Sequence, residues 1–301
     1  MTKFPVYFKL NVNSRNKRRK IKMQKIITDS AANLFAPVLT GIKHQSVALS
    51  LLGQHAAFLD EAGFSQTAFA EFIAGQTGPI KTSCPNVDSY LAAMQGADEV
   101  YVFTISSALS GSYNAAQTAK QILLEEDGDK KIAVFDTKAA GPTERMAAIK
   151  ASQLIAAGLA FEEVVETVQA YIDRAKIFFG LQSVTNLANN GRINKTVAKL
   201  AQVLKINVLG WANEAGEIEQ LGKARGAKKA RHNLLALLEQ HHFDGQHLVI
   251  DHADNLEGAK AFKDLVLAKY PACQVEIGNC NALCSFYAEK GGLMIGCLVK
   301  E

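Results

Sequence analysis

The stretch TISSALSGSYNAAQTA, Thr104 to Ala119, decides how this chain is read. Just before it, EVYVFTIS (Glu99–Ser106) is a short apolar run rich in β-branched and aromatic residues, the pattern of a buried strand. Beyond it, SYNAAQTAKQILLEE has helical spacing. Between the two, five hydroxyl residues and one glycine crowd into Thr104–Ser112. A buried strand that passes through a polar turn into a helix is the first half of a β–α–β unit. KIITDS (Lys25–Ser30) and KIAVFDT (Lys131–Thr137) repeat the strand pattern and also end in polar residues. DEAGFSQTAFAEFIAG, NVDSYLAAMQG and GPTERMAAIKASQLIAAG read as helices around them. Short buried strands alternating with amphipathic helices specify a parallel sheet and an α/β fold.

The rhythm changes after the helix FEEVVETVQAYIDRAK. IFFGLQS, INVLGWAN and GEIEQLGKA read as strands joined by hairpin-type turns, with Asn213–Gly216 as one turn. A helix (GAKKARHNLLALLEQHH), a strand (HLVIDHA), a second helix (LEGAKAFKDLVLAKY) and two more strands (QVEIGNC, GGLMIGCLV) complete the chain. The second half is therefore α+β. The expected organisation is a basic extension over 1–22, an N-terminal α/β domain over 23–176 and a C-terminal α+β domain over 177–301.

Bulk properties narrow the classes. The 301 residues are 48% hydrophobic and 21% charged, a soluble globular balance. No run of about 18 apolar residues is present, so no membrane span is expected. The net charge of +4 has a local origin, because RNKRRKIK (Arg15–Lys22) carries six Lys/Arg and no acid. The remainder is near neutral, which argues against nucleic-acid binding. That basic stretch has no apolar core and no small-residue cleavage site, so no secretory signal is expected there. Codons AGG-AGG for Arg18-Arg19 would resemble a bacterial ribosome-binding sequence placed before Met23. Met23 is accordingly the expected start.

Five cysteines (Cys84, Cys273, Cys280, Cys284, Cys297), an odd count, fit reduced thiols in a cytoplasmic protein. The CNALC spacing lacks the second tight Cys/His pair of a zinc site. No metal and no cofactor are expected.

The strand ends are where parallel α/β sheets bind ligands. Here they are TDS (Thr28–Ser30), ISSALSGS (Ile105–Ser112) and FDT (Phe135–Thr137), joined by KTSCPN (Lys81–Asn86) ahead of a helix. Ser83 is expected to cap that helix, with Pro85 in its first turn. Hydroxyls beside the free N–H groups of helix starts can hold a carboxylate or phosphate. Each Ser or Thr taken singly can equally be a simple cap. Enzyme signatures are missing: there is no GxxxxGK[ST], no GxGxxG after a strand and no GxSxG frame, since Ala108 stands where its first glycine belongs. An acyl hydrolase or transferase would have to use Ser106, with His252 as base, or a cysteine.

KIITDSAANL, KTSCPN, ISSALSGSYNAAQTA, VFDTKAAGPTERM, LANNGRINK and GKARGAKKA, in this order and spacing, resemble the DegV family of fatty-acid-binding proteins. The resemblance implies a fatty acid bound between the two domains, with its tail in an apolar tunnel and its carboxylate on polar residues. It implies a binding protein rather than an enzyme. A partner fatty-acid kinase would use the presented carboxylate to make an acyl phosphate for phospholipid synthesis. By this resemblance Thr82, Ser83, Ser106 and Ser107 are the head-group candidates. Arg192 matches a family arginine, either a structural residue paired to an acid or a site residue. Arg225, in GKARGAKKA, matches a segment associated with kinase contact.

The resemblance breaks near the C-terminus. Where the family carries GTHxGPG, this chain has GNCNALC: Gly278 is kept, Asn279 replaces the threonine and Cys280 the histidine. Carboxylate capture is then expected to be weakened at Cys280 or moved to Asn279 or Asn281, or the ligand differs. Glu144 and Arg145, in AGPTERM, also depart from the family's small-residue run and are expected as a surface helix pair.

Overall fold

Four parallel strands, β1 (Gln24–Asp29), β2 (Lys43–Val47), β6 (Glu99–Thr104) and β7 (Lys131–Asp136), form the first sheet in the order β2-β1-β6-β7. The computed structural model describes residues 22–34, 42–194 and 206–300; what was expected of residues 1–21 lies outside the described residues. Every residue of β6 is buried, as its unbroken apolar run requires. Helices α2 (Val87–Met94) and α3 (Ser112–Glu126) cover one face, packing Tyr90, Met94, Ala116 and Leu123 on Val100 and Val102. Helices α4 (Pro142–Ala156) and α5 (Phe161–Arg174) cover the other, packing Ala147, Ala151, Val164 and Val168 on Tyr101 and Phe103.

The second sheet has six strands: β8 (Ala175–Leu181), β9 (Ile206–Ala212), β10 (Ile218–Arg225), β11 (Phe243–His252), β12 (Gln274–Asn279) and β13 (Leu293–Val299). Their order is β10-β9-β8-β13-β11-β12. Only β11 and β12 pair in parallel, joined by the crossover helix α8 (Leu256–Lys269). Helices α7 (Ala227–Gln240) and α8 pack on its outer face around Phe178, Leu234, Leu248 and Phe262. Its inner face meets α4. Gly296 on β13 makes this approach possible, since a Cβ there would lie 3.0 Å from both Thr143 and Met146 of α4. The layers therefore run helices, parallel sheet, α4 with α5, mixed sheet, helices. This is the α/β-plus-α+β architecture expected from the pattern.

Several elements escaped the sequence reading. A small antiparallel sheet of β3 (Ser50–Leu52), β4 (Ala57–Leu59) and β5 (Lys81–Ser83) sits beside α1 (Gln66–Ala74). Two short helices, α6 (Thr185–Asn189) and α9 (Ala282–Ala288), lie at the mouth between the sheets. Ser83 is not a helix cap: it ends β5, and Asn86 caps α2 by accepting from the Ser89 N–H at 2.8 Å.

Candidate functional site

In the parallel sheet the chain steps from β1 outward to β2 and then back to β6 on the other side. The crevice between the carboxyl ends of β1 and β6 is thus the switch point where this architecture binds ligands. Here the protein fills it with its own carboxylate. Asp29, wholly buried, accepts from Ile105 N–H at 2.9 Å and from Ala31 N–H at 3.0 Å. Burial pushes its pKa up to about 6, against the pull of those two N–H groups. An incoming anion cannot use the same donors.

The free space lies just above, between the two sheets. It is a cavity of about 290 Å³. The parallel-sheet side contributes Ile105, Leu109 and Ala139, and the mixed sheet Ile177, Phe179, Leu181 and Met294. These mixed-sheet residues follow the alternation of β8: Ile177, Phe179 and Leu181 face the cavity while Phe178 faces the outer helices. Such a lining binds an aliphatic chain by burial, at about 0.8 kcal/mol per CH₂ before ordering costs.

The polar groups gather at one end. Thr82 and Ser83 come from β5, Arg192 from the turn after α6, and Tyr287 from α9. The Thr82 hydroxyl and the Tyr287 phenol are 2.6 Å apart. Burial raises the Tyr287 pKa, with the Thr82 hydrogen bond and the Arg192 charge acting against it. Arg192 donates from Nε to Leu109 O at 3.2 Å and from an Nη to Asn190 O. Both partners are main-chain carbonyls, so among the described residues no acid neutralises the guanidinium. Helix α3 also starts at this wall: Ser110 and Gly111 line the cavity, and the Ser110 hydroxyl accepts from the Ser112 N–H at 3.3 Å. A helix start, a guanidinium and hydroxyls around an apolar cavity suit a carboxylate with a long hydrocarbon tail.

The sequence-derived candidates separate into two groups. Thr82, Ser83 and Arg192 line the cavity. Ser106, Ser107, Asn279 and Cys280 do not, and the reason is visible for each. Ser106 is wholly buried and donates to Gly216 O at 2.8 Å, docking the β9–β10 turn onto the parallel sheet. Gly216 has φ +80, and a Cβ there would strike the Ser106 hydroxyl at 2.2 Å, so the contact requires glycine. Ser107 is exposed and its hydroxyl bonds Asp136. Asn279 is exposed at the end of β12, paired with His252. Cys280 is buried against Met294, Sγ to Sδ 3.7 Å. Arg225 is exposed at the end of β10, away from the cavity, beside Lys228 and Lys229.

The same geometry argues against Ser106 as a nucleophile. The Ser106 hydroxyl is committed to Gly216 and accepts from Ala108 N–H, while His252 Nδ1 faces the Asn255 N–H. Burial holds the thiols of Cys280 and Cys284 well above their usual pKa and that of Cys273 at about 11, so these thiolates are scarce at neutral pH.

Two cavity residues the sequence did not reveal are Tyr287 and Leu283 on α9. Their signal was the apolar spacing Leu283, Phe286, Tyr287 after Asn281. The helix is held by a distant acid: Asp60, wholly buried, accepts from Ala282 N–H at 2.9 Å.

Glu144 and Arg145 are not a surface pair. They sit on α4, which is enclosed between the sheets. Arg145 donates to both oxygens of buried Asp251 on β11, at 2.6 and 2.9 Å, and Asn33 Nδ2 adds a bond to the same carboxylate at 2.8 Å. Gly278 leaves room for this pair, because a Cβ there would be 2.6 Å from an Asp251 oxygen. Glu144 is wholly buried and neither oxygen has a hydrogen-bond partner among the described residues. Burial, then the neighbouring Asp29 charge, lifts its pKa well above the usual carboxylate range.

Comparison with known proteins matches this architecture to one class. Residues 23–300 match the model of a family described as "Uncharacterised protein, DegV family". A DegV domain-containing protein of Streptococcus gordonii is 35% identical over 274 residues, 90% of this chain and 98% of that one. The chain belongs to the DegV family. Two solved structures are similar throughout. One is the Streptococcus pneumoniae Fatty Acid Kinase (Fak) B3 protein loaded with linoleic acid, 35% identical with a TM-score of 0.89, covering 92% of this chain and 100% of that one. The other is a DegV family protein from Eubacterium eligens loaded with heptadecanoic acid, 34% identical with a TM-score of 0.88 and the same coverage. Among the described residues no helix is long and apolar enough to cross a membrane.

Proposed function

We propose that this protein binds one long-chain fatty acid, or a similar lipid carboxylate, in the cavity between its two sheets and presents the carboxylate to a partner fatty-acid kinase. The observation that carries the reading is the cavity itself: an apolar interior whose polar groups, Thr82, Ser83, Arg192 and Tyr287, converge at one end. The two loaded relatives described above support it.

In this reading the tail supplies affinity and the polar end supplies orientation. Charge-assisted hydrogen bonds to the carboxylate contribute about 1.5–3 kcal/mol each. The protein acts without a cofactor and performs no bond chemistry itself. Cys280, where the resemblance would place a histidine, is buried against Met294 and does not line the cavity, so in this reading Arg192 and the Thr82–Tyr287 pair recognise the head group. Arg225, exposed beside Lys228 and Lys229, is the kinase-contact candidate.

Native mass spectrometry of freshly purified protein, followed by lipid extraction, tests the binding. One fatty acid per chain is the expected result; a protein that is empty and refuses added fatty acids rejects it. Presentation is tested by adding a fatty-acid kinase and ATP and measuring acyl phosphate. Arg225→Ala is expected to lower turnover several-fold at unchanged fatty-acid affinity. Unchanged turnover removes Arg225 from the kinase contact.

A further inference from the structure

The apolar end of the cavity closes on Ile177 of β8 and Ala212 of β9, with Ala139 packed against them. Both residues also line a second, separate pocket of about 210 Å³ on their far side. That pocket carries charge: beside Ile172 and Ala175 its walls include Lys138, Asp173, Lys176 and Glu214, and Lys176 is paired to Glu214 at 2.8 Å. The partition between an apolar cavity and a charged one is thus a single layer of side chains. Resting on the fatty-acid reading above, we infer that Ile177 and Ala212 are the end-stop for the acyl tail and set the longest chain this protein accepts.

Two features make the stop firm. Phe178 pairs with Trp211, so Ile177 and Ala212 are adjacent on neighbouring strands and share the cavity face. Both strands are interior to the six-stranded sheet, where neither main chain can swing aside. A methyl end pushed past the wall would have to displace water from lysine and carboxylate groups, which disfavours longer chains. The space for the tail is therefore decided by the volume of two side chains.

The test uses the full chain with an equimolar mixture of saturated fatty acids of graded length, the bound acid being read by native mass spectrometry. Ile177→Ala opens the wall and is expected to shift the preferred acid upward by about two carbons, each newly buried methylene favouring the longer acid about fourfold. Ala212→Val fills the end and is expected to shift the preference downward. Ile177→Val is a milder third variant, and it decides with Ala212→Val if Ile177→Ala does not fold. Folded variants that keep the wild-type length profile overturn the end-stop while leaving fatty-acid binding intact. A wild-type protein that takes up no acid of any length overturns the underlying reading and the end-stop with it.

Discussion

Ser106 shows how a residue can satisfy a pattern and serve another purpose. It stands at a strand end beside a helix start, as an anion ligand would, yet its hydroxyl is spent on the Gly216 carbonyl of the opposite sheet. Ser106→Ala is expected to strand a buried acceptor and cost about 1–3 kcal/mol, read as an earlier thermal transition. Fatty-acid affinity should stay within about twofold, because Ser106 does not line the cavity. Arg192→Ala is expected to do the reverse, weakening fatty-acid binding about 10- to 100-fold with little change in stability. Fluorescence displacement titrations on both variants distinguish the roles, and an inverted pattern would return Ser106 to the head-group site. Cys280→His should destabilise the fold by about 1–3 kcal/mol by overpacking against Met294 and should not restore a carboxylate ligand.

At the scale of elements, α4 is the unusual piece. Most helices here show one buried face, but α4 is covered by a sheet on each side and so buries Glu144 along with its alanines. Asp29 lies beside Glu144, and Asp60 is buried a short way off at the start of α9. Burial raises the pKa of Asp29 to about 6 and of Asp60 to about 7, and that of Glu144 well above its usual value. The folded state then holds protons that the unfolded chain releases near pH 4. The stability these three groups contribute is greatest at or below that pH and is lost as pH rises through about 6 and 7, by about 1.4 kcal/mol per pH unit for each group still protonated only in the fold. Denaturant titrations at pH 4.5, 6 and 8 measure the slope. Glu144→Gln removes one such group and is expected to flatten the slope and stabilise the protein at pH 8. A steeper or unchanged slope would show that Glu144 does not hold its proton in the folded protein.

At the scale of the molecule, one buried ion pair ties the two sheets together. Arg145 reaches from α4 to Asp251 on β11, and Asn33 joins the same carboxylate from the end of the first strand's turn. Breaking it by Arg145→Ala leaves a buried charge without its partner and is expected to cost about 3–5 kcal/mol. Because the cavity lies between the sheets this pair connects, fatty-acid affinity is expected to fall along with the melting temperature. The double change Arg145→Met with Asp251→Leu should recover much of the stability, since an apolar pair of similar volume avoids the desolvation penalty. Thermal unfolding of the three proteins checks this, and additive losses in the double variant would reject the pairing as the cause. Bound ligand adds its own increment: a fatty acid at 100 times its Kd should stabilise the native state by about 2.7 kcal/mol.

The sequence alone determined the parallel sheet, the switch to an α+β second half and the family, because strand burial and helical periodicity are local and repeat along the chain. It marked Thr82, Ser83 and Arg192 for the same reason: each stands in a short contiguous motif. It left β2, the small sheet and α9 unread, since their strands are short and their burial comes from distant neighbours. Only the tertiary structure decided which hydroxyls face the cavity, because a hydroxyl at a strand end can turn toward ligand or toward the other sheet. It also decided that Glu144 and Arg145 are interior, since a helix looks amphipathic or surface-like until a second sheet covers it. Above all it brought Tyr287 beside Thr82, 205 residues apart in the chain, which no local pattern could announce.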